Sequence, residues 1–211
     1  MMRVKVCGFT DEGDLAAAVT AGVDAVGLIA GVTVETPREI PLTEASRLAE
    51  TVPPLVSTVL VTMPADAGEA RDRIEQVEPD AVQVHGIDPE AVASLGDAPA
   101  DVIAAVDPTE TDLDAYAAAA DALLVDSIDA EGGGGTGETH DWVRTREIVD
   151  TLDVPVVLAG GLTPDNVTDA VETVDPFAVD VASGVEREDG RKDHDAVEQF
   201  VERVTRARVV P

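Results

Sequence analysis

Residues 154–164 read Val154-Pro155-Val156-Val157-Leu158-Ala159-Gly160-Gly161-Leu162-Thr163-Pro164. A short run, apolar at nearly every position, gives way to paired glycines and then to a Thr-Pro helix-opening signal. A strand with one face in water alternates polar and apolar residues, so a run apolar throughout reads as a parallel strand covered on both faces. Working outward, the same unit recurs along the whole chain. Strands are expected at 3–7, 24–29, 56–62, 80–84, 101–106, 121–126, 154–159 and 177–181. Between them, helices are expected near 11–21, 43–51, 66–77, 88–95, 110–119, 141–151, 165–174 and 192–207. Thr10-Asp11-Glu12, Thr43-Glu44 and Thr163-Pro164-Asp165 supply opening signals for the first, second and seventh helices. Strict alternation of eight strands and eight helices in 211 residues indicates the α/β class and a closed (β/α)8 TIM barrel. An open doubly wound sheet shares this element order and is the main competitor. No composition break or linker interrupts the pattern, so residues 1–211 read as a single domain.

Composition excludes several function classes. The chain carries 43 acidic and 14 basic residues, a net charge of −29, and 45% of it is hydrophobic. That apolar fraction is enough for a packed core, while the charge repels nucleic acid and anionic membranes as partners. There is no secretory leader pattern and no apolar run of membrane-spanning length, so a soluble, cytoplasmic protein is expected. Lysine occurs only at Lys5 and Lys192 against twelve arginines, and aspartate and glutamate dominate the helix faces. This points to a halophilic proteome adapted to molar intracellular salt, with self-repulsion screened over about 3 Å. The two remaining lysines are expected to be kept for local reasons.

In a barrel, chemistry belongs at the carboxyl ends of the strands. There, glycines follow strand seven (Gly160-Gly161) and strand eight (Asp180-Val181-Ala182-Ser183-Gly184-Val185-Glu186), as suits backbone approach to a phosphate; tight turns would use glycine equally. Strand six ends in Asp126, a carboxylate suited to proton donation when partly desolvated, or else a loop-capping aspartate. Strand one ends in Arg3-Val4-Lys5-Val6-Cys7-Gly8, placing Lys5 and Cys7 on one face. The lone cysteine is a candidate proton acceptor or a small buried hydrophobe. Lys5 either favours its thiolate or pairs with a barrel carboxylate. Arg38 follows Thr36-Pro37 and can grip a carboxylate or form a surface salt bridge, and Gln83 and His85 close strand four. Gly132–Gly137, followed by His140-Asp141-Trp142, reads as a lid or a plain surface loop. His85, His140 and His194 are scattered without metal-ligand spacing, and no Walker or dinucleotide fingerprint occurs, so neither metal nor cofactor is expected.

Taken together, these motifs resemble the phosphoribosylanthranilate isomerase family of tryptophan biosynthesis. The resemblance rests on Lys5–Gly8, Thr36–Arg38, Gln83–Gly86, Asp126, Gly134–Gly137 with Asp141-Trp142, Ala159–Leu162, and Ser183–Glu186 with Lys192-Asp193. It implies a cofactor-free Amadori rearrangement of N-(5-phosphoribosyl)anthranilate to 1-(2-carboxyphenylamino)-1-deoxyribulose 5-phosphate. In that scheme Asp126 is the general acid and Cys7 the general base. Lys5, Arg38, Gln83, His85, Gly135, Gly137, Gly160, Gly161, Asp180, Ser183 and Gly184 form the substrate-binding set, with Arg38 on the anthranilate carboxylate. A phosphorylated small molecule is the implied partner, with a monomer or homodimer as the assembly. The chain departs from the family pattern at Ile29–Glu35, where an aromatic-rich stretch is usual, at His140 in place of phenylalanine, and at Ala182 in place of serine. Competing readings are another phosphate-binding barrel enzyme, or a non-catalytic sugar-phosphate-binding protein on this scaffold.

The charge pattern makes one prediction directly. Circular dichroism across a salt titration should show the fold loosening at low ionic strength, and full structure in dilute buffer would refute the high-salt reading.

Overall fold

In the computed structural model, which describes residues 2–126, 142–188 and 190–207, eight parallel strands close into a barrel in the order β1 to β8. The strands are β1 (Arg3–Cys7), β2 (Ala25–Ile29), β3 (Ser57–Thr62), β4 (Ala81–Val84), β5 (Asp101–Val106), β6 (Ala122–Val125), β7 (Val156–Leu158) and β8 (Ala178–Val181). Closure is made by β1 against β8, with Val4 opposite Val179 and Lys5 opposite Asp180. The open-sheet alternative is thereby excluded. The helices are α1 (Glu12–Ala21), α2 (Leu42–Ala49), α3 (Ala67–Val77), α4 (Pro89–Ala93), α5 (Leu113–Ala119), α6 (Trp142–Thr151), α7 (Val167–Val174) and α8 (His194–Ala207). No helix among the described residues is long and apolar enough to cross a membrane.

Strand parity divides the core into two. Val4, Val6, Val26, Leu28, Leu60 and Val82 point outward and join the helices in one large buried layer. Cys7, Val59, Val61 and Ala81 pack inside the barrel, with Leu124, Val157, Ala159 and Ala178 forming a second interior cluster. Lys5, Gln83 and Asp180 are buried on the same inner side of the register.

Most elements begin one or two residues later than the sequence suggests, and the cause is specific. Asp24, Asp80 and Asp121 stand just before β2, β4 and β6, and their carboxylates accept the backbone N–H of Val4, Thr58 and Val102 on the preceding strands. The same device recurs at three alternate strand pairs, β1–β2, β3–β4 and β5–β6, stapling the amino-terminal rim with acidic side chains beside the backbone bonds. Asp11 caps α1 as its motif suggests, accepting from Gly13 and Asp14 N–H. The Thr43-Glu44 signal does not cap α2, which starts at Leu42 after Pro41 with no side-chain cap. Helix α7 starts at Val167, because the Asn166 side chain closes a turn by accepting from Thr163 N–H and donating to the Gly161 carbonyl.

The largest departure lies after β8. The expected loop 182–191 and the start of the eighth helix instead form a 3-10 turn (Ser183–Val185) and a small antiparallel hairpin, β9 (Glu186–Glu188) with β10 (Arg191–Lys192). Alternating charges conceal these strands from an apolar pattern. The hairpin is docked by Asp14 of α1, which is 2% exposed. Its carboxylate accepts from Arg191 Nε at 3.0 Å, Lys192 N–H at 3.0 Å and His194 Nε2 at 2.8 Å.

Burial opposes the Asp14 charge, but the Arg191, His194 and Lys192 bonds hold its pKa down to about 2. A depressed carboxyl pKa contributes stability that is present above the unfolded value near 3.9 and lost as pH falls toward about 2. Urea melts in high salt should therefore show Asp14→Asn costing about 1–3 kcal/mol at neutral pH. They should also show this variant losing less stability than the parent between about pH 4 and 2. Parallel acid profiles would contradict the assignment.

Candidate active site

The carboxyl ends of the strands surround one pocket lined by Cys7, Arg38, Gln83, His85, Asp126, Gly160, Gly161, Asp180, Ser183 and Gly184. Its empty space, open mouth included, is about 800 Å³, a size suited to one small molecule. Lys5 lies one inward position below Cys7 on β1 and supports the floor. Gly135 and Gly137 lie outside the described residues, as do Gly132–Gly134, Thr136, His140 and Asp141. Of the other residues in the expected site, all but Lys5 line this pocket. Among the described residues no cluster of histidine, cysteine and carboxylate side chains could hold a metal ion.

On the floor, Lys5 Nζ donates to Asp180 Oδ2 at 2.7 Å, so the lysine takes the carboxylate-pairing role. Burial opposes the Lys5 charge, but Asp180 outweighs it and raises the ammonium pKa. Beside it, the Cys7 thiol lies over Gly27, where a Cβ would come within 2.6 Å of Sγ. Burial pushes the Cys7 pKa up, and Asp180 adds to that rise; Lys5 and Lys192 only partly counter it. The resting group is therefore a thiol. The expectation that Lys5 would favour the thiolate is met in direction and outweighed in size.

Across the floor, Gln83 Nε2 donates to His85 Nε2 at 2.8 Å. Burial, reinforced by the Lys5 charge, lowers the His85 pKa to about 4, so the ring is a neutral lining group at physiological pH. Gln83 Oε1, His85 Nδ1 and Asp180 Oδ1 are buried with no hydrogen-bond partner, leaving acceptor and donor capacity beside the pocket. Asp126 follows β6, anchored by its N–H to the Val106 carbonyl, and is buried at the rim opposite Cys7.

Two ends of the pocket differ in chemistry. At one, Gly160 and Gly161 have φ of 87° and 62°, conformations that glycine adopts without strain, and they bring bare backbone to the pocket wall. Gly184 packs against the same loop, so closely that a Cβ would sit 1.8 Å from the Leu162 carbonyl oxygen. At the other end Arg38 is held by Glu186 through two parallel bonds of 2.8 Å, from Nε and Nη2. This is a largely buried pair, not a surface salt bridge. Glu186 also accepts from Lys192 Nζ at 2.7 Å, and despite burial its pKa is lowered by these two cations. Ile29, Val32, Val34 and Met63 give the same pocket apolar lining, the first three from the 29–35 stretch that departs from the family pattern.

Glu186, Lys192, Asn166 and Gly27 were not picked out as site residues. Lys192 carries a signal, being one of two lysines in the chain; Glu186 closes the Ser183–Glu186 motif, but nothing in the sequence marks it as the partner of Arg38.

The packing of Gly184 makes a further prediction. Gly184→Ala must displace either the 182–185 turn or the Leu162 backbone, so KM should rise by about tenfold or more with little change in thermal midpoint. An unchanged KM would show that the close approach has no bearing on binding.

The N-(5'phosphoribosyl)anthranilate (PRA) isomerase family model matches residues 4–203. The N-(5'-phosphoribosyl)anthranilate isomerase of Haloarcula marismortui is 59% identical over 209 residues, covering 98% of both chains, and its source agrees with the high-salt reading. A crystal structure of phosphoribosyl anthranilate isomerase in complex with reduced 1-(o-carboxyphenylamino)-1-deoxyribulose 5-phosphate superposes with a TM-score of 0.80. It shares 32% identity and covers 97% of this chain and 99% of its own. Monomers generated from the dimeric phosphoribosylanthranilate isomerase of Thermotoga maritima match with a TM-score of 0.81 at 31% identity, over 97% of this chain and 99% of theirs. With a family model spanning nearly the whole barrel and a relative of 59% identity, the chain belongs to the N-(5'-phosphoribosyl)anthranilate isomerase family.

Proposed function

We propose that this protein catalyses the Amadori rearrangement of N-(5-phosphoribosyl)anthranilate to 1-(2-carboxyphenylamino)-1-deoxyribulose 5-phosphate, with Asp126 as general acid and Cys7 as general base. The observation that carries this reading is the pocket itself. A thiol and a carboxylate face one cavity from β1 and from the end of β6, between a glycine-built end and an arginine-bearing end. Family membership supports the reaction, and a relative's complex with reduced 1-(o-carboxyphenylamino)-1-deoxyribulose 5-phosphate supports the chemical class of the ligand.

The proton transfers are those the family implies, and the placement of Asp126 and Cys7 on one pocket supports them. Asp126 protonates the furanose ring oxygen, which opens the ring to a protonated Schiff base. Cys7 as thiolate then removes the proton from C2′, and the electrons of that bond flow to the nitrogen to give an enolamine. Tautomerisation adds a proton at C1′ and removes one from the C2′ hydroxyl, leaving the ketone with every atom of the substrate retained. These steps need no cofactor.

Binding follows the charge layout. Arg38 and Lys192 flank the single carboxylate of Glu186, leaving one net positive charge at the rim of a chain whose overall charge is −29. Arg38 takes the anthranilate carboxylate, and backbone around Gly160, Gly161, Ser183 and Gly184 takes the phosphate. His85, Gln83 and Asp180 offer their spare polar atoms to the ribose hydroxyls. Such a protein works in the cytoplasm as one domain, and the Thermotoga maritima relative offers precedents for both monomer and dimer.

The test follows anthranilate fluorescence after adding fresh phosphoribosylanthranilate in high salt. Cys7→Ser and Asp126→Asn should each lower kcat by about 10²–10⁴ with smaller changes in KM. Near-normal turnover by either variant would break its assignment, and no rate above background in the parent would favour the binding-protein reading. Because burial raises the Cys7 pKa above the ordinary thiol value near 8.5, kcat/KM should rise with pH through neutrality and beyond. His85 contributes no limb near the usual histidine value, since burial lowers its pKa to about 4.

A further inference from the structure

The proton transfers above make no use of Lys192, yet it is the least exposed charged side chain among the described residues, with 0% exposure. An ammonium in that position is costly unless strongly partnered, and an apolar side chain would serve stability equally well. Its contacts identify what it does. The backbone N–H donates to Asp14, which fixes the residue beneath the site. Nζ donates to Glu186 Oε1 at 2.7 Å and to the Ala182 carbonyl at 3.1 Å. Glu186 is the carboxylate that grips Arg38, and Ala182 opens the Ala182–Gly184 turn that lies on the glycine loop of β7. One ammonium therefore touches the supports of both anion-binding ends of the pocket.

We propose that Lys192 is a positioning residue that couples the two ends, orienting Arg38 through Glu186 and the phosphate turn through the Ala182 carbonyl. This rests on the binding reading above, in which Arg38 holds the substrate carboxylate and the turn holds the phosphate. A bidentate arginine pair sets the guanidinium plane, and the ammonium bonded to Glu186 Oε1, the oxygen that also accepts from Arg38 Nε, keeps that carboxylate from rotating. The same proton donor stops the Ala182 carbonyl from turning into the pocket. Substrate binding at either end then meets a preformed partner, which lowers KM without entering the chemical step.

The experiment compares Lys192→Met, Glu186→Gln, Arg38→Met and the Lys192→Met/Arg38→Met double variant in steady-state assays. Inorganic phosphate serves as a competitive inhibitor, and circular dichroism confirms folding in high salt. Lys192→Met should raise KM by about tenfold with kcat largely kept, and should weaken phosphate inhibition by a similar factor. Glu186→Gln should raise KM but leave phosphate inhibition intact, because it interrupts only the Arg38 branch. In the Arg38→Met background, Lys192→Met should add clearly less than its single effect on KM. Fully multiplicative effects on KM, or unchanged phosphate inhibition in Lys192→Met, overturn the proposal. If Lys192→Met fails to fold, the decision passes to Glu186→Gln alone and with Arg38→Met, where a fully multiplicative effect on KM or weakened phosphate inhibition overturns the coupling. An unaltered KM in Arg38→Met refutes the assignment of Arg38 to the carboxylate, while the phosphate comparison still judges Lys192.

Discussion

The pairing of β1 with β8 is the contact on which the rest of the molecule depends. Once those two edges meet, every strand has a defined inner and outer side, because side chains alternate and the register cannot slip without turning the core outward. The outer positions are then committed to the helices and the inner ones to a narrow interior. Lys5 and Asp180 face each other across this seam, so the closing contact and the floor of the pocket are one structure. The thiol beside them inherits its environment from closure: dry, next to a neutralised ion pair, and therefore protonated at rest.

A strongly acidic chain that handles a phosphorylated, carboxylated molecule faces an electrostatic problem. Its solution is local and layered. Positive groups at the site are held by acidic partners: Arg38 and Lys192 share Glu186, and Asp14 holds the hairpin that carries Lys192. Acidic residues elsewhere do structural work too, as the three aspartates stapling the amino-terminal rim show. The negative charge of this chain is therefore partly skeleton and not only a surface coating.

The barrel was legible because burial on both faces imprints uninterrupted apolar runs, and a run's midpoint survives errors at its ends. The ends misled wherever an aspartate did backbone work: Asp24, Asp80 and Asp121 look like strand residues and are staples just outside. The hairpin at 186–192 could not be read, since its residues are charged and its stability comes from docking on Asp14 and not from an apolar stripe. Cys7 and Lys5 stood out by their rarity and Asp126 by its place at a strand end. Glu186 closes the Ser183–Glu186 motif, but among 43 acidic residues no pattern marks the one that holds an arginine. The aliphatic wall of Ile29, Val32, Val34 and Met63 was hidden for a related reason: loop residues carry no period that tells which side they face.

The burial of both lysines reaches beyond binding. With Lys5 in the barrel and Lys192 in the hairpin strand β10, both lysine amines of the folded chain are withdrawn from solvent. Lysine acylation then becomes a direct reporter of opening, since each modified side chain records a barrel or a hairpin that has come apart.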